Sequence, residues 1–374
     1  GAAVTITESG IEASGIGITC ASINDGQISG RRNIVINGAM MVSQRGNQSA
    51  TSSAGYFACD RFYTSNGSDA AVAVNQSTDS PDDFGFSYHL DCTTADTSIA
   101  AGQYFLIQYR IEGQDIQRFN KGTSSAKQFA LSFYVKATKT GLYTVELEDT
   151  DNQRQISKTI TVSNTDWNRY VLIFPADTSG AFNNDQNNSL SINWWLLAGS
   201  TYNGGTVNTS SWASITQANR ASGSNVNAMD STSNDFRLTG VQLEVGDQAT
   251  SFEHRSFGEE LSLCQRYYET HNHLTTAKTT DGSVTSQWST ITSNDSNTLV
   301  VSTGIIYKVP KRASPTVTLY NSSDTTTASR VNAQGTERTV SATYGGPSAL
   351  TRIYVTGASS GNYVTFNWEA DAEL

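Results

Sequence analysis

The side chains able to do chemistry in this chain are few and scattered. Its four histidines are His89, His254, His271 and His273, and its four cysteines are Cys20, Cys59, Cys92 and Cys264. No GxSxG, HExxH, phosphate-binding loop or CxxC spacing involves any of them. The cysteines read as free, mostly buried thiols rather than a disulfide framework. Cleavage of a glycosidic bond needs two facing carboxyl groups, one of them protonated. Glu112, Asp115, Glu146, Glu148 and Asp149 are the acids that could supply a pair, although the plainer assignment makes them turn and solvent-face acids. No catalytic residue is assigned, and a non-enzymatic protein without a cofactor is expected.

Holding a sugar requires other residues: accessible aromatic rings that stack on a pyranose, beside Asn, Gln, Asp and Arg groups that bond its hydroxyls. In SLSINWWLLAG, Leu190, Ile192, Trp194 and Leu196 alternate onto one core face, so Trp195 points the other way. Trp195 is then either a sugar platform or, more simply, a ring covered by a strand, loop or neighbouring subunit. Tyr202, and Trp212 in the polar NGGTVNTSSWASITQ stretch, are further accessible candidates, as are Trp288 and Trp368.

The elements that must position these residues are strands. Of 374 residues only 16% are charged and 10% aromatic, and Ser, Thr, Asn and Gly separate short apolar runs, a composition suited to many short strands and polar turns. Lys and Arg number 24 against 34 Asp and Glu, and the net charge of -10 argues against a nucleic-acid surface and against attraction to anionic lipid. No apolar run is long enough to span a membrane, so no membrane insertion is expected. The opening Gly-Ala-Ala without Met suggests a fragment or processed product.

Four regions follow from the texture of the chain. Residues 1–30 read as a β-rich connector. Residues 31–255 carry about eight or nine strands, each with one apolar face, for which two packed sheets, a jelly-roll β-sandwich, are the natural solution. They begin with Ile34, Val35 and Ile36 running into an Asn37-Gly38 turn, and include Phe84, Phe86, Tyr88 and Leu90; Phe105, Ile107, Tyr109 and Ile111; and Phe129, Leu131, Phe133 and Val135. The last strand, DFRLTGVQLEVGD, changes phase at Gly240, where a bulge would keep both halves facing inward. Residues 256–270 form a short linking helix, with Ser256 and Glu259 in capping-box relation. Residues 271–374 read as a smaller distal β-sandwich. The fold class is all-β.

The runs NIVINGAMMVSQRG, CDRFY, RIEGQDIQRF, FALSFYVKATKTGLYTVELED, DWNRYVLIFPAD, VQLEVGDQATSFEHRSFGEELSLCQRYYE and EADAEL together resemble the C-terminal part of tail-fibre and virion structural proteins of marine and other tailed phages. The resemblance is tightest over residues 31–270. It implies a jelly roll like that of carbohydrate-binding modules, a homotrimer, and a place in the virion with other virion proteins on the N-terminal side and a host-surface glycan or outer-membrane component as target. It also implies a structural calcium between the Asn37-Gly38 turn and Asp235, although Ala39 stands where the family's usual acid follows that turn. In a trimer, His271 and His273 could present six imidazole nitrogens to a transition metal. Leu261, Cys264 and Tyr268 of the linking helix either pack about a threefold axis, the arrangement favoured here, or seal the two domains of one chain. Three functions stay open: receptor attachment without catalysis; a head-fibre, decoration or tail-assembly part with no receptor role; and a glycan depolymerase.

Overall fold

Alternating apolar residues between Gln48 and Val245 assemble into two antiparallel sheets across one shared core. The computed structural model describes residues 5–7, 10–12, 31–271, 287–295, 298–321, 324–328, 330–333, 336–356 and 363–374. Within the stretch expected to be a connector, β1 (Thr5–Thr7) pairs with β2 (Gly10–Glu12). The sandwich begins with β3 (Gln48–Thr51), β4 (Gly55–Tyr56), β5 (Phe62–Asn66), β6 (Ala71–Ser77), β7 (Ser87–Thr94) and β8 (Tyr104–Glu112). It continues with β9 (Phe129–Ala137), β10 (Gly141–Asp149), β11 (Arg154–Val162), β12 (Asn168–Phe174), β13 (Asn188–Ala198), β14 (Ala213–Ser214) and β15 (Asp235–Val245). One sheet runs β14-β11-β10-β13-β8-β5-β4, the other β12-β9-β15-β7-β6-β3.

The inward residues are those the period of two selects. Phe105, Ile107, Tyr109 and Ile111 of β8 meet Phe129, Leu131, Phe133 and Val135 of β9 in the core. The bulge is where the phase change puts it: β15 shifts register against β9 between Thr239 and Gln242, and Gly240 takes φ 62°, a conformation costly for any residue with a Cβ. Two expected strands differ. Ile34 to Ile36 form no strand; this segment runs beside β15, with single bonds from Ile34 N–H to the Leu243 carbonyl and from Val241 N–H to that of Gly38. It is held instead by side chains, Glu253 accepting from the N–H groups of Arg32 and Asn33, and Arg255 donating to the carbonyls of Asn33 and Val35. Phe84 leaves the β7 run, because its N–H turns back to the Pro81 carbonyl, and only Tyr88 and Leu90 of that run are fully buried.

The linking helix is α2 (Phe257–Gln265), following a one-turn helix α1 (Ser200–Asn203) inside the sandwich that the sequence pattern does not announce. Ser256 caps α2 by accepting from Glu259 N–H, while the Glu259 carboxylate pairs with Arg31. Among the described residues no helix is long and apolar enough to cross a membrane. The chain then enters β16 (Tyr268–Thr270), β17 (Gln287–Asp295), β18 (Thr298–Ile306), β19 (Thr316–Asn321) and β20 (Asp324–Ala328). It ends with β21 (Arg330–Ala333), β22 (Thr336–Gly346), β23 (Ala349–Thr356) and β24 (Tyr363–Asp371). These strands pair in the order β17-β18-β23-β22-β21-β24-β19-β20, and β17 also pairs β24, over a separate core that includes Leu319, Val331, Ile353, Phe366 and Trp368.

The two parts meet in a polar junction. Cys264 and Tyr267 bury themselves against Ile36 and Val42, flanked by Leu261, and Tyr268 on β16 is 3% exposed, so these side chains pack within one chain. Arg61, 1% exposed, lies 3.4 Å from the Tyr267 ring centre, donates to the Arg110 carbonyl at 2.7 Å and pairs with Glu373. Arg45 stacks 3.5 Å over Tyr268 and reaches Asp371 and Glu373 at 3.1 and 3.3 Å. Arg266 grips the buried Glu112 through two bonds of 3.0 and 2.8 Å.

Removing the Glu373 carboxylate would leave a buried guanidinium without its counter-charge. Glu373→Ala should lower stability by about 3–5 kcal/mol, read as a lower denaturant midpoint, and a loss below about 1 kcal/mol would show the junction to be expendable. A pH effect follows from Asp60, where burial pushes the carboxyl up to about 6 against the pull of Arg45 and Gln44. An unfolded carboxyl titrates near 4, so the folded chain holds this proton more tightly. The resulting stability is fully present below about pH 4 and is lost as pH rises through about 6. Asp60→Asn should remove roughly 2–3 kcal/mol of that pH dependence, and parallel stability curves for the two proteins would overturn it.

Candidate functional site

The outer face of the larger sheet is a cross-strand lattice. Thr144, Trp195 and Leu106 are register neighbours on β10, β13 and β8, and beside them lies the row Glu146, Asn193 and Gln108. Strand alternation thus brings onto one surface an indole, an amide pair and two carboxylates, those of Glu146 and Glu148. The stretch after β13 folds over this surface. Its Gly199 N–H bonds the Gln103 carbonyl and Thr144 Oγ1 donates to the Ala221 carbonyl, which places Tyr202 and Arg220 above Trp195. The result is a cleft of about 330 Å³ lined by Tyr104, Gln108, Arg110, Glu148, Tyr202 and Arg220 among others.

Electrostatics organise its floor. Arg220 donates to Glu146 at 2.9 Å and to Glu148 at 2.5 Å, and Glu146 also accepts from Asn193 (3.0 Å) and from the Trp195 indole N–H (3.1 Å). Burial raises the Glu146 carboxyl above its usual range, Arg220 opposes this, and Glu148 adds to it. Gln108 donates to Asn193 at 2.8 Å and accepts from Arg110 at 2.7 Å, and Arg110 in turn reaches the Leu374 carbonyl. Tyr104 and Tyr202 stand 5.4 Å apart, and each also contacts Trp195, at 6.3 and 5.4 Å. Half-buried tyrosines beside guanidinium, amide and carboxylate groups can stack a sugar ring and bond its hydroxyls.

Trp195 does point away from the core that holds Trp194, but at 2% exposure it is the covered ring, not the platform. The accessible rings are Tyr202 and Tyr104; the latter was legible as the outward neighbour of Phe105 in the β8 alternation. Trp212 is not accessible: it is 6% exposed, packed on Phe129, with its indole N–H on the Pro175 carbonyl. Trp368 is a core residue of the C-terminal domain, and the Trp288 side chain lies outside the described residues.

The other candidates do not converge. Glu112 belongs to the junction, Asp115 is exposed, and Asp149 accepts from the buried Lys121 ammonium at 2.5 Å. That ammonium fills a cage of oxygens, with Asp177 at 3.1 Å and the Ser179 and Gly180 carbonyls at 3.0 and 2.7 Å. The Asn37 amide braces its own turn by donating to the Val42 and Asp60 carbonyls, whereas Asp235 pairs with His89 and Arg237 at the start of β15. The His271 ring lies against Trp368, and His273 is outside the described residues. Among the described residues no cluster of three or more metal-ligating side chains occurs. Cys59, Cys92 and Cys264 are free and buried, and Cys20 is outside the described residues.

Arg220 is the residue on which the cleft floor turns. Arg220→Ala would leave Glu146 buried without a cation, an expected cost of about 3–5 kcal/mol at neutral pH. Protonation relieves an unpaired carboxylate, so the deficit should shrink as pH is lowered, and a pH-independent deficit in denaturant titrations would refute this account.

No protein-family profile matches the chain, and no curated protein matches it. Over 57% of its length the chain is similar to the enzymatically active domain of tailspike protein 4 of bacteriophage CBA120, at 16% identity and a TM-score of 0.28, and it spans only 21% of that chain. Over 56% of its length it is similar to 98% of a family 11 carbohydrate-binding module of a cellulosomal cellulase from Clostridium thermocellum, at 13% identity and a TM-score of 0.27. A Stig cyclase from Fischerella sp. TAU is similar at 9% identity and a TM-score of 0.29, over 53% of this chain and 90% of that one. The all-β assignment itself rests on the sheet topology.

Proposed function

We propose that the chain is a non-catalytic, glycan-binding component of a tailed-phage virion fibre, acting as a homotrimer that attaches the particle to a host surface. The observation that carries the glycan part is the cleft of Tyr104, Tyr202, Gln108, Arg110, Glu148 and Arg220 over the ordered floor of the larger sheet. Virion, trimer and host attachment rest on the sequence resemblance. Cys264 of α2 and Tyr268 of β16 are packed within one chain.

Two features support binding without cleavage. The partners of Glu146 are donors, namely Arg220, Asn193 and the Trp195 indole, so its oxygens are engaged as acceptors within the floor rather than turned toward a leaving group. Glu148 is tied to the same guanidinium. A depolymerase reading predicts oligosaccharide release from host polysaccharide, and binding without release is the outcome expected here.

Tyr202 is the ring to remove, because it is half-buried, lines the cleft and is held by its neighbours rather than by the core. Tyr202→Ala should weaken glycan binding roughly ten-fold or more, the equivalent of about 1.4 kcal/mol, and reduce the ability of the purified chain to compete with phage adsorption. Adsorption untouched by the wild-type chain would instead favour a head-fibre, decoration or tail-assembly role. Equal glycan affinity of wild type and Tyr202→Ala would remove the cleft from the reading.

A further inference from the structure

A second hollow, of about 500 Å³, lies on the outer face of the other sheet, on the opposite side of the sandwich from the cleft. Its lining includes Phe84, Tyr134, Phe252, His254, Arg169 and Asp83. Four rings form its wall: Phe84 stands 5.3 Å from Tyr134, 5.0 Å from Phe252 and 5.3 Å from His254, and Phe252 is 4.8 Å from His254. Phe84, Tyr134 and Phe252 are half-buried and His254 is exposed, so part of each ring remains open to solvent. Tyr134 comes from β9 and Arg169 from β12, where the two are register partners.

The wall is fixed from beneath. At the Gly240 bulge an added Cβ would come within 2.8 Å of both Phe84 and Tyr134, so only glycine lets these rings lie over β15. Just beyond it, Gln242 and Glu244 are 0% and 1% exposed yet bond outward, to the loop that carries Phe252 and His254. Glu244 accepts from the N–H and hydroxyl of Thr250, both at 2.8 Å. Gln242 donates to the Ser251 carbonyl at 3.2 Å and accepts from Glu253 N–H at 2.8 Å. The Phe84 loop is tied down similarly, Ser80 donating to the Phe84 carbonyl at 2.6 Å and Thr239 to that of Phe86 at 2.7 Å. Buried polar groups that hold an exposed aromatic loop in one place remove the ordering cost that a ligand would otherwise meet.

The rim supplies both halves of a hydroxyl-reading pair. Arg169 is exposed, donates one bond to the Thr250 carbonyl at 2.8 Å, and makes no ion pair among the described residues. Its remaining N–H groups are therefore available, and the exposed Asp83 carboxylate contributes an acceptor. Arg220 in the first cleft differs, being paired with Glu146 and Glu148.

We infer that this hollow is a second carbohydrate site, which takes a neutral pyranose with its apolar face on Phe84 and Phe252 and its vicinal hydroxyls toward Arg169 and Asp83. It stands on its own geometry and does not require the first cleft to bind. One chain then carries two glycan sites on opposite faces, and a polymer-coated surface engages it with an effective concentration that neither site has alone.

The test is saturation-transfer NMR on the full chain with a panel of gluco-, galacto- and manno-configured neutral oligosaccharides, repeated on three variants. The expected result is a binding component that Phe252→Ala and Arg169→Gln each weaken at least ten-fold and that Tyr202→Ala leaves unchanged. Arg169 is exposed, so Arg169→Gln should keep the wild-type unfolding midpoint and decides the matter even if Phe252→Ala folds poorly. The inference is overturned if no member of the panel binds, if binding survives both substitutions, or if Tyr202→Ala alone abolishes it. Loss of binding in Tyr202→Ala without loss in Arg169→Gln would leave the first cleft standing and remove this one.

Discussion

The ion pair of Arg61 and Glu373 is the constraint on which the rest of the structure depends. A guanidinium taken out of water is costly unless charge and hydrogen bonds surround it, and here they arrive from three separate places. The sandwich supplies Arg61 and the Arg110 carbonyl, the end of α2 supplies the Tyr267 ring, and the segment after β24 supplies Glu373. Neither domain can satisfy that group alone. Arg45 and Arg312 reinforce it from either side, the first reaching Asp371 and Glu373, the second donating to the carbonyls of Ala372, Glu373 and Gln186. The domains are thus joined by matched charges beside a small apolar cluster of Ile36, Val42, Cys264 and Tyr267.

That junction runs into the candidate cleft without a break. Arg110 bonds the Leu374 carbonyl with one arm and Gln108 with another, and Gln108, Asn193, Glu146 and Arg220 continue the chain to the far wall. Because Arg110, Gln108 and Asn193 each donate to the next member and Arg220 donates to Glu146 from the other side, the orientation of the floor is set as a unit, and a displacement at the C-terminal segment is felt by the amides and carboxylates of the cleft. Within the floor Glu146 and Glu148 both accept from Arg220 and Asn193.

Much of the fold was legible because it is written locally. The period of two along β8, β9 and β13 depends only on the pleat, the Gly240 bulge on a one-residue phase change, and the α2 start on the Ser256 cap. What stayed hidden was set by residues distant in the chain. Trp195 could be read as outward-facing, but not as covered, since its cover is Tyr202 and Arg220 on a loop whose path the local pattern does not specify. Trp212 sits in a polar stretch that looks exposed, yet packing on Phe129 buries it. Ile34 to Ile36 have strand composition, but side chains of Glu253 and Arg255 take up their backbone groups instead. The motifs that carry the phage-fibre resemblance looked like separate islands, whereas Gln44, Arg45, Asp60, Arg61, Arg266, Tyr267 and Glu373 gather at one junction.

The distribution of buried polar groups separates support from function. Groups such as Lys121 with Asp149 and Asp177 close on themselves, leave no bonding capacity pointing outward, and are accounted for by the stability of the sandwich. Gln242 and Glu244 do something else: their bonds run from the interior to a surface loop that carries the half-buried Phe252 and the exposed His254. A loop needed only as a connection could be shorter and polar, with no reason to place rings beside the Gly240 bulge. The pairing of interior polar anchors with half-open aromatic rings recurs on the other face, where Glu146 and Asn193 lie beneath Tyr104 and Tyr202. Since the inward faces of both sheets are committed to the core, a sandwich can vary what it binds only on its outer faces, and in this chain both outer faces are built in the same way.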